Sequence, residues 1–349
     1  MKFSFDPELI AKARQIILHC PNLNVLSAER EAEYSPLVRS MEAEFKKRHA
    51  AGKLLLPDLS ALANRTIGIF SDYSGESTGN YDTYSFLICG WGSLGPFRQQ
   101  MQQVREKFAM GSKEIEFKDF GMGTIQRALP SYLETLNGYV PGLLFTLVVD
   151  KRLVSLFGAP DRSTARALAE ILEERGFGAR KPPVAEKVMR VIHTAAYLTA
   201  LLGHEGQKIF WMTDDDAICP NPEMHTRMLE LFHNVLGLYT NRKFGLIGGA
   251  RPFSERSIDY LDLLSAADVA AGTVAQYFTG RDEVGEDNVG VKPGAEKVLQ
   301  WLGLDALALK KLCVMICAGD NGAILSGTVE FTPRQIPETA TFLPVQLCR

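Results

Sequence analysis

Two runs rich in β-branched and aromatic residues, "RTIGIFSD" and "YDTYSFLICGWGSL", flank the turn-prone "SGESTGN" near residue 77. Such a pairing predicts adjacent antiparallel strands, and everything downstream must pack around them. Beyond this pair the hydrophobic period alternates. A helix is expected at "PFRQQMQQVREKF", a short strand at "EIEFKD", a helix at "TIQRALPSYLETL" interrupted near Pro130, and an apolar strand at "GLLFTLVVD". A polar stretch ending in "GARKPP" then leads into the helix "VAEKVMRVIHTAAYLTALL". Next come the strand "KIFWMTDD", the helix "PEMHTRMLELFHNVL", the strand "KFGLIGG" and the helix "SIDYLDLLSAADVAAGTVAQYF". Strands alternating with helices imply an α/β fold with a mixed central sheet flanked by helices. Residues 1–60, with "DPELIAKARQIIL" and "SAEREAEYSPLVRSMEAEFKKRHAAGK", read as an N-terminal helical addition outside that sheet. Residues 61–282 form the α/β domain. Residues 283–349 read as a helix and a β-hairpin turning at "GDNG", packed on the core.

Composition narrows the function classes. With 349 residues, 46% hydrophobic and 23% charged, the chain is long enough for a large core. A net charge of -3 argues against a basic coat for indiscriminate nucleic-acid binding, though not against a local basic groove. The six cysteines, Cys20, Cys89, Cys219, Cys313, Cys317 and Cys348, show no C-x-x-C spacing and suit reduced thiols. Asp6, Pro7 and Glu8 break any signal-peptide core, and no run of 18 apolar residues occurs, so a cytoplasmic, non-membrane protein is expected.

The chemistry lies in scattered acids. In "GIFSDYSGE" strand alternation puts Gly68, Phe70 and Asp72 on one face, so Asp72 ends a core strand; alone it would read as a turn-starting Asp. In "IFWMTDDD" the same alternation puts Asp214 and Asp216 on one face with Phe210 and Met212, and Asp215 opposite. Such crowded carboxylates repel unless water, a base or a metal intervenes; the plain alternative is a solvated loop or helix N-cap. Asp214 is the preferred ligand and Asp216 its substitute. Asp268 sits inside "LDLLSAADVAAGTVA", where an Asp has poor helix propensity and no capping role, so something must compensate its burial. A satisfied structural Asp is the alternative. In "KEIEFKDF", Glu114, Glu116 and Lys118 would share a strand face, which is otherwise the mark of an exposed edge. Glu76 rivals Glu116 for the glutamate role.

Taken in order, "SDYSGE", "EFKDF", "LVVDKRL", "FWMTD" and "LLSAADVAAG" resemble the bacterial RNase H-like nuclease group known as domain-of-unknown-function family 3800, over residues 65 to 280. The resemblance implies an RNase H-like sheet and metal binding by Asp72, Asp214 and Asp268, with Glu116 as the matching glutamate. It further implies phosphodiester hydrolysis of a nucleic acid. Hard oxygen ligands of this kind select Mg²⁺ or Mn²⁺, and two such ions about 4 Å apart can activate a water and neutralise a leaving oxygen. Lys118, Lys151 and Arg251 are candidate phosphate contacts, with solvated surface charge as the alternative. The strands ending at Asp72 and near Asp214 should then be neighbours, with the Asp268 helix across their ends.

Other readings are weaker. "GESTG", Gly75 to Gly79, matches a nucleophile elbow with Ser77, yet a strand succeeds it where that motif needs a helix. The six histidines show no metal spacing, and His193 in an apolar helix reads as core. A non-catalytic RNase H-like module binding nucleic acid or protein is the competing class. It would use the N-terminal helices, with Lys46, Lys47, Arg48 and Lys53, as an interface to a partner or a second copy.

Overall fold

The computed structural model describes residues 17–77, 79–252, 257–285, 289–320 and 322–332. A two-residue strand pair, β1 (Ile17–Leu18) and β2 (Leu56–Pro57), brackets helix α1 (Pro36–Ala50). The hairpin expected at the start of the domain is present as β3 (Thr66–Ser74) and β4 (Tyr81–Gly90). Helices α2 (Gly95–Lys107) and α3 (Gly123–Tyr139) then lead to β5 (Gly142–Asp150). Helices α4 (Arg162–Leu172) and α5 (Pro182–Leu202) precede β6 (Lys208–Thr213), α6 (Pro222–Tyr239) and β7 (Leu246–Ala250). Helix α7 (Ile258–Val284), helix α8 (Pro293–Gly303) and the hairpin β8 (Leu309–Ala318) and β9 (Ile324–Val329) complete the described chain.

Seven strands form one mixed sheet in the order β7-β6-β3-β4-β5-β8-β9. The pairs β3–β4, β4–β5 and β8–β9 are antiparallel, and β3–β6, β6–β7 and β5–β8 are parallel. Strand alternation sorts the core into two faces. Ile67, Ile69, Phe86, Phe145 and Trp211 face one cluster with α5 and α6, whereas Phe70, Leu87, Leu144 and Met212 face the other with α2, α3 and α7. With helices on both sides, all nine residues of β5 are buried, which is why "GLLFTLVVD" reads as unbroken apolar sequence.

Several expectations are corrected. "EIEFKD" is no strand: Glu114 to Glu116 are non-regular and Phe117–Gly121 is a 3-10 turn. Both hydrogen-bonding sides of β3 and of β4 are already taken, so the segment has no sheet partner there and lies along α7 instead. Glu114, Glu116 and Lys118 therefore share no strand face. Pro130 does not interrupt its helix. It is exposed, and the carbonyl of Gln126, which would otherwise lack the i+4 donor, accepts from Lys297 Nζ at 3.3 Å. Helix α4 lies in what reads as polar linker; Asp161 caps it by accepting the N–H groups of Ser163 and Thr164. The carboxy-terminal hairpin is part of the sheet, since β8 pairs with β5.

The prefix is not wholly helical in its described part. Much of "DPELIAKARQIIL" falls outside the described residues, and Ile17–Leu18 is a strand paired with Leu56–Pro57, not with the central sheet. Helix α1 is an integral cover: Leu37, Val38, Met41 and Phe45 are fully buried, Phe45 stacks on Phe145 at 5.8 Å, and Glu44 accepts from Ser326 and Thr328 of β9. Cys20, Cys89, Cys219, Cys313 and Cys317 are free thiols, and Cys348 lies outside the described residues. No described helix is long and apolar enough to cross a membrane.

Candidate active site

The parallel register between β3 and β6 sets Ser71 opposite Thr213. One residue further, the Asp214 N–H donates to the Ser71 carbonyl at 3.1 Å; β3 does not end at Asp72 but runs on to Ser74 beside β4, so Asp72 and Asp214 stand together where the parallel pairing stops. Alternation sends the Asp72 side chain to the α7 face with Phe70. Tyr73 goes to the opposite face, where its hydroxyl bonds Ser71 and Thr213 at 2.8 Å each.

Helix α7 brings the third acid. Its stretch from Leu261 to Ala275 is buried throughout except at Asp268, which is half-open. Small residues let it lie close to the sheet: Thr83 of β4 donates to the Ala271 carbonyl at 2.9 Å. Asp268 Oδ2 accepts the Phe117 N–H at 2.6 Å, which draws the segment carrying Glu114 and Glu116 to the cluster. Gly272, one turn along the same helix, makes room for this. A Cβ there would lie 2.3 Å from the Phe117 ring, on whose face Lys292 Nζ sits at 3.9 Å. The loop before Glu114 is anchored by Arg105, whose guanidinium donates to the carbonyls of Gly111 (2.9 Å) and Lys113 (3.0 Å) and pairs with buried Asp262 of α7. Gly272→Ala should therefore displace Phe117 and cost about 1–3 kcal/mol from overpacking, against about 1 kcal/mol gained in helix propensity. Denaturant unfolding checks this; a clear net stabilisation would show that Phe117 does not depend on the gap.

The acids act on one another. Burial, then the charges of Asp268 and Asp214, hold the Asp72 carboxyl well above the usual carboxylate range. Asp214 is raised by burial, then by Asp216 and Asp215. Asp268 is pushed up to about 7 by burial first, with Glu116 and Asp214 adding to it, against the Phe117 N–H, which works the other way. Glu114 is raised by burial and by Glu116. Between the unfolded value near 3.8 and about 7, the folded protein holds a proton on Asp268 that the unfolded chain has released. Stability from this group is therefore full below pH 4 and is lost as pH rises to 7, so metal-free protein should melt higher at pH 5.5 than at pH 7.5 in this respect. Asp268→Asn should flatten that slope between about pH 4 and 7; an unchanged slope would place the titration elsewhere.

Among the expected site residues, Asp72, Asp214 and Asp268 converge, with Glu116 beside Asp268 and Glu114 near Glu116. Glu76 does not share that arrangement, and Asp216, though its charge acts on Asp72 and Asp214, is held by a base. Both pair with Lys187 of α5, a side chain 8% exposed whose Nζ also lies 4.7 Å over the Tyr73 ring. Asp216 thus turns toward α5, contrary to the alternation argument, because β6 ends at Thr213 and the turn after it has no strand period. Asp215 pairs with Arg251 at 2.6 Å. Lys118 pairs with Glu116 at 2.9 Å, and Lys151 donates to the carbonyls of Gly75, Glu76 and Gly79, closing the β3–β4 loop. His193 is core: its Nδ1 meets the Tyr239 hydroxyl, and burial lowers its pKa to about 4. Lys187, Arg105 and Asp262 escape sequence reading. Of these, Asp262, an acid among the leucines of the same helix, carries a signal of the kind that marks Asp268.

The donor chemistry suits a hard cation. Asp72 Oδ1 accepts the Tyr73 N–H and Asp268 Oδ2 that of Phe117, while the second oxygen of each has no hydrogen-bond partner among the described residues. As they stand, however, no three Asp, Glu, His or Cys side chains among the described residues are grouped to hold a metal ion.

No family model matches the chain, and no curated protein matches it. Among solved structures it is similar to the crystal structure of ribonuclease H2 from Pyrococcus horikoshii OT3, at 12% identity over 68% of this chain and 85% of that one. The TM-score is 0.29, and at that level the likeness has no bearing on chemistry.

Proposed function

We propose that the chain is an RNase H-like nuclease that hydrolyses phosphodiester bonds of a nucleic acid with Mg²⁺ or Mn²⁺ held by Asp72, Asp214, Asp268 and Glu116. The carrying observation is that three acids distant in sequence converge where the parallel pairing of β3 and β6 stops and a helix crosses, and that Asp268 and Asp214 raise the proton affinity of Asp72 while Glu116 and Asp214 raise that of Asp268. Such uncompensated charge suits divalent cations, which when bound supply an activated water and charge neutralisation at the leaving oxygen. The chain's own part is to keep these carboxylates half-buried and supported by backbone N–H groups. Of the nearby bases, Lys187 is committed to Glu76 and Asp216 and Arg251 to Asp215, while Lys118 pairs with Glu116 and would yield to a cation there. Of the possible glutamates, Glu116 is favoured over Glu76 because its charge acts on Asp268.

The non-catalytic module gains little from the amino-terminal bases. Lys46 pairs with Glu42, Lys47 with Glu44, and Arg48 and Lys53 with Glu330, so this cluster is largely neutralised within the chain. The test is melting temperature with and without Mg²⁺ or Mn²⁺, beside cleavage of labelled single- and double-stranded RNA and DNA. A metal-dependent rise in melting temperature with cleavage of one substrate class is expected. A protein indifferent to both ions and inert on all four substrates would leave the module reading in place.

A further inference from the structure

On the face of the sheet opposite Asp72 lies a cavity of about 640 Å³, bounded by the β3–β4 loop, α4 and the start of α5. Its volume suits a small organic ligand of nucleotide size. The walls divide by chemistry. Val154, Pro182, Pro183 and Val184 offer apolar surface and Tyr73 a half-buried ring, while Tyr84 and Leu153 are buried. Three further cations are paired with acids. Lys187 pairs with Glu76 and Asp216, Arg190 bonds Glu186 at 3.0 Å and Asp82 at 3.3 Å, and Lys151 lies 3.9 Å from Asp82.

That leaves Arg162 and Arg166 of α4. Both line the cavity, both are exposed, and neither has an ion-pair or hydrogen-bond partner among the described residues. At i and i+4 they stand on one face of the helix, so their guanidiniums share one rim. Two guanidiniums thus stand at the cavity mouth, over walls that mix apolar surface with charges paired among themselves. A phosphate monoester with an apolar body matches this: guanidinium forks bind phosphate oxygens, and the apolar wall takes the body.

We propose that this cavity binds an organic phosphate monoester, with the phosphate on Arg162 and Arg166 and the body against Val154, Pro182, Pro183 and Val184. The site stands apart from the carboxylate centre and does not depend on the nuclease reading. A free nucleoside monophosphate and the 5′-phosphorylated end of a strand share this chemistry.

Calorimetric titration of the full chain in EDTA with AMP, adenosine and inorganic phosphate tests it, using the parent, an Arg162→Ala/Arg166→Ala variant and Asp72→Asn. AMP should bind the parent and Asp72→Asn equally, and the double variant about tenfold or more weakly. Adenosine should bind the parent about tenfold or more weakly than AMP, and inorganic phosphate should compete with AMP. Both arginines are exposed, so the double variant should melt like the parent. A 5′-phosphorylated tetranucleotide against its 5′-hydroxyl form identifies the source: a preference for the phosphorylated end points to a strand terminus, and none, with AMP still bound, to the free monoester. No AMP binding at millimolar concentration, equal affinity in the double variant, or loss of binding in Asp72→Asn would overturn the proposal.

Discussion

Asp72→Asn and Asp268→Asn should each lower metal-dependent cleavage by about a thousandfold, the scale on which losing one preorganised electrostatic group acts. Neither should unfold the protein. Asn keeps a carbonyl oxygen in each place, able to accept the N–H of Tyr73 or of Phe117 as the carboxylate does. Both positions carry acids driven toward the protonated form by burial and by neighbouring carboxylates, so removing a charge relieves repulsion. Without metal, each variant should melt at or above the parent. With Mg²⁺ the order should reverse, because an ion at a hundred times its dissociation constant adds about 2.7 kcal/mol to the parent and less to a variant lacking a ligand. Thermal melts in EDTA and in Mg²⁺, run beside cleavage of labelled substrates, read both halves. Variants that melt well below the parent in EDTA would show these acids to be structural, since a buried charge that loses its partner costs about 3–5 kcal/mol.

Arg105→Ala should carry that larger cost. Asp262 is 1% exposed and takes its cation from Arg105, so the substitution strands a buried carboxylate and releases the Gly111 and Lys113 carbonyls. A loss of about 3–5 kcal/mol is expected by denaturant unfolding. Removing Asp262 as well, in Arg105→Met/Asp262→Leu, should recover much of it, because two apolar side chains replace the pair. The substitution also loosens the loop that presents Phe117 and Glu116, so cleavage should fall in Arg105→Ala even where the fold persists. A cost below about 1 kcal/mol would mean that water reaches Asp262 and that the pair is no anchor.

Much of the sheet was legible because its signals are local. β3, β4 and β5 show alternation or continuous apolar character, and each is bounded by turn residues. Asp214 could be placed at a strand end and Asp72 on a strand face for the same reason, although β3 runs on to Ser74, and Asp268 stood out because an acid within a run of alanines needs a partner. "EIEFKD" misled, since extended backbone alternates whether or not a neighbouring strand exists to pair with it. Helix α4 was missed because its few apolar residues, Ala165, Leu168, Ala169 and Leu172, are spaced among charges and read as linker.

The sequence by itself determined the alternation of strands and helices, the burial of β5 and the acids carried on β3 and within α7, because backbone periodicity and side-chain solvation act over a few residues. Only the tertiary structure decided which acids share a site. Lys187 turns Glu76 and Asp216 away, Arg251 takes Asp215, and Phe117 reaches Asp268 across 151 positions because Gly272 leaves space for its ring. Those outcomes depend on which charge lies within reach after folding and on where two backbones can approach, quantities set by packing between elements distant along the chain.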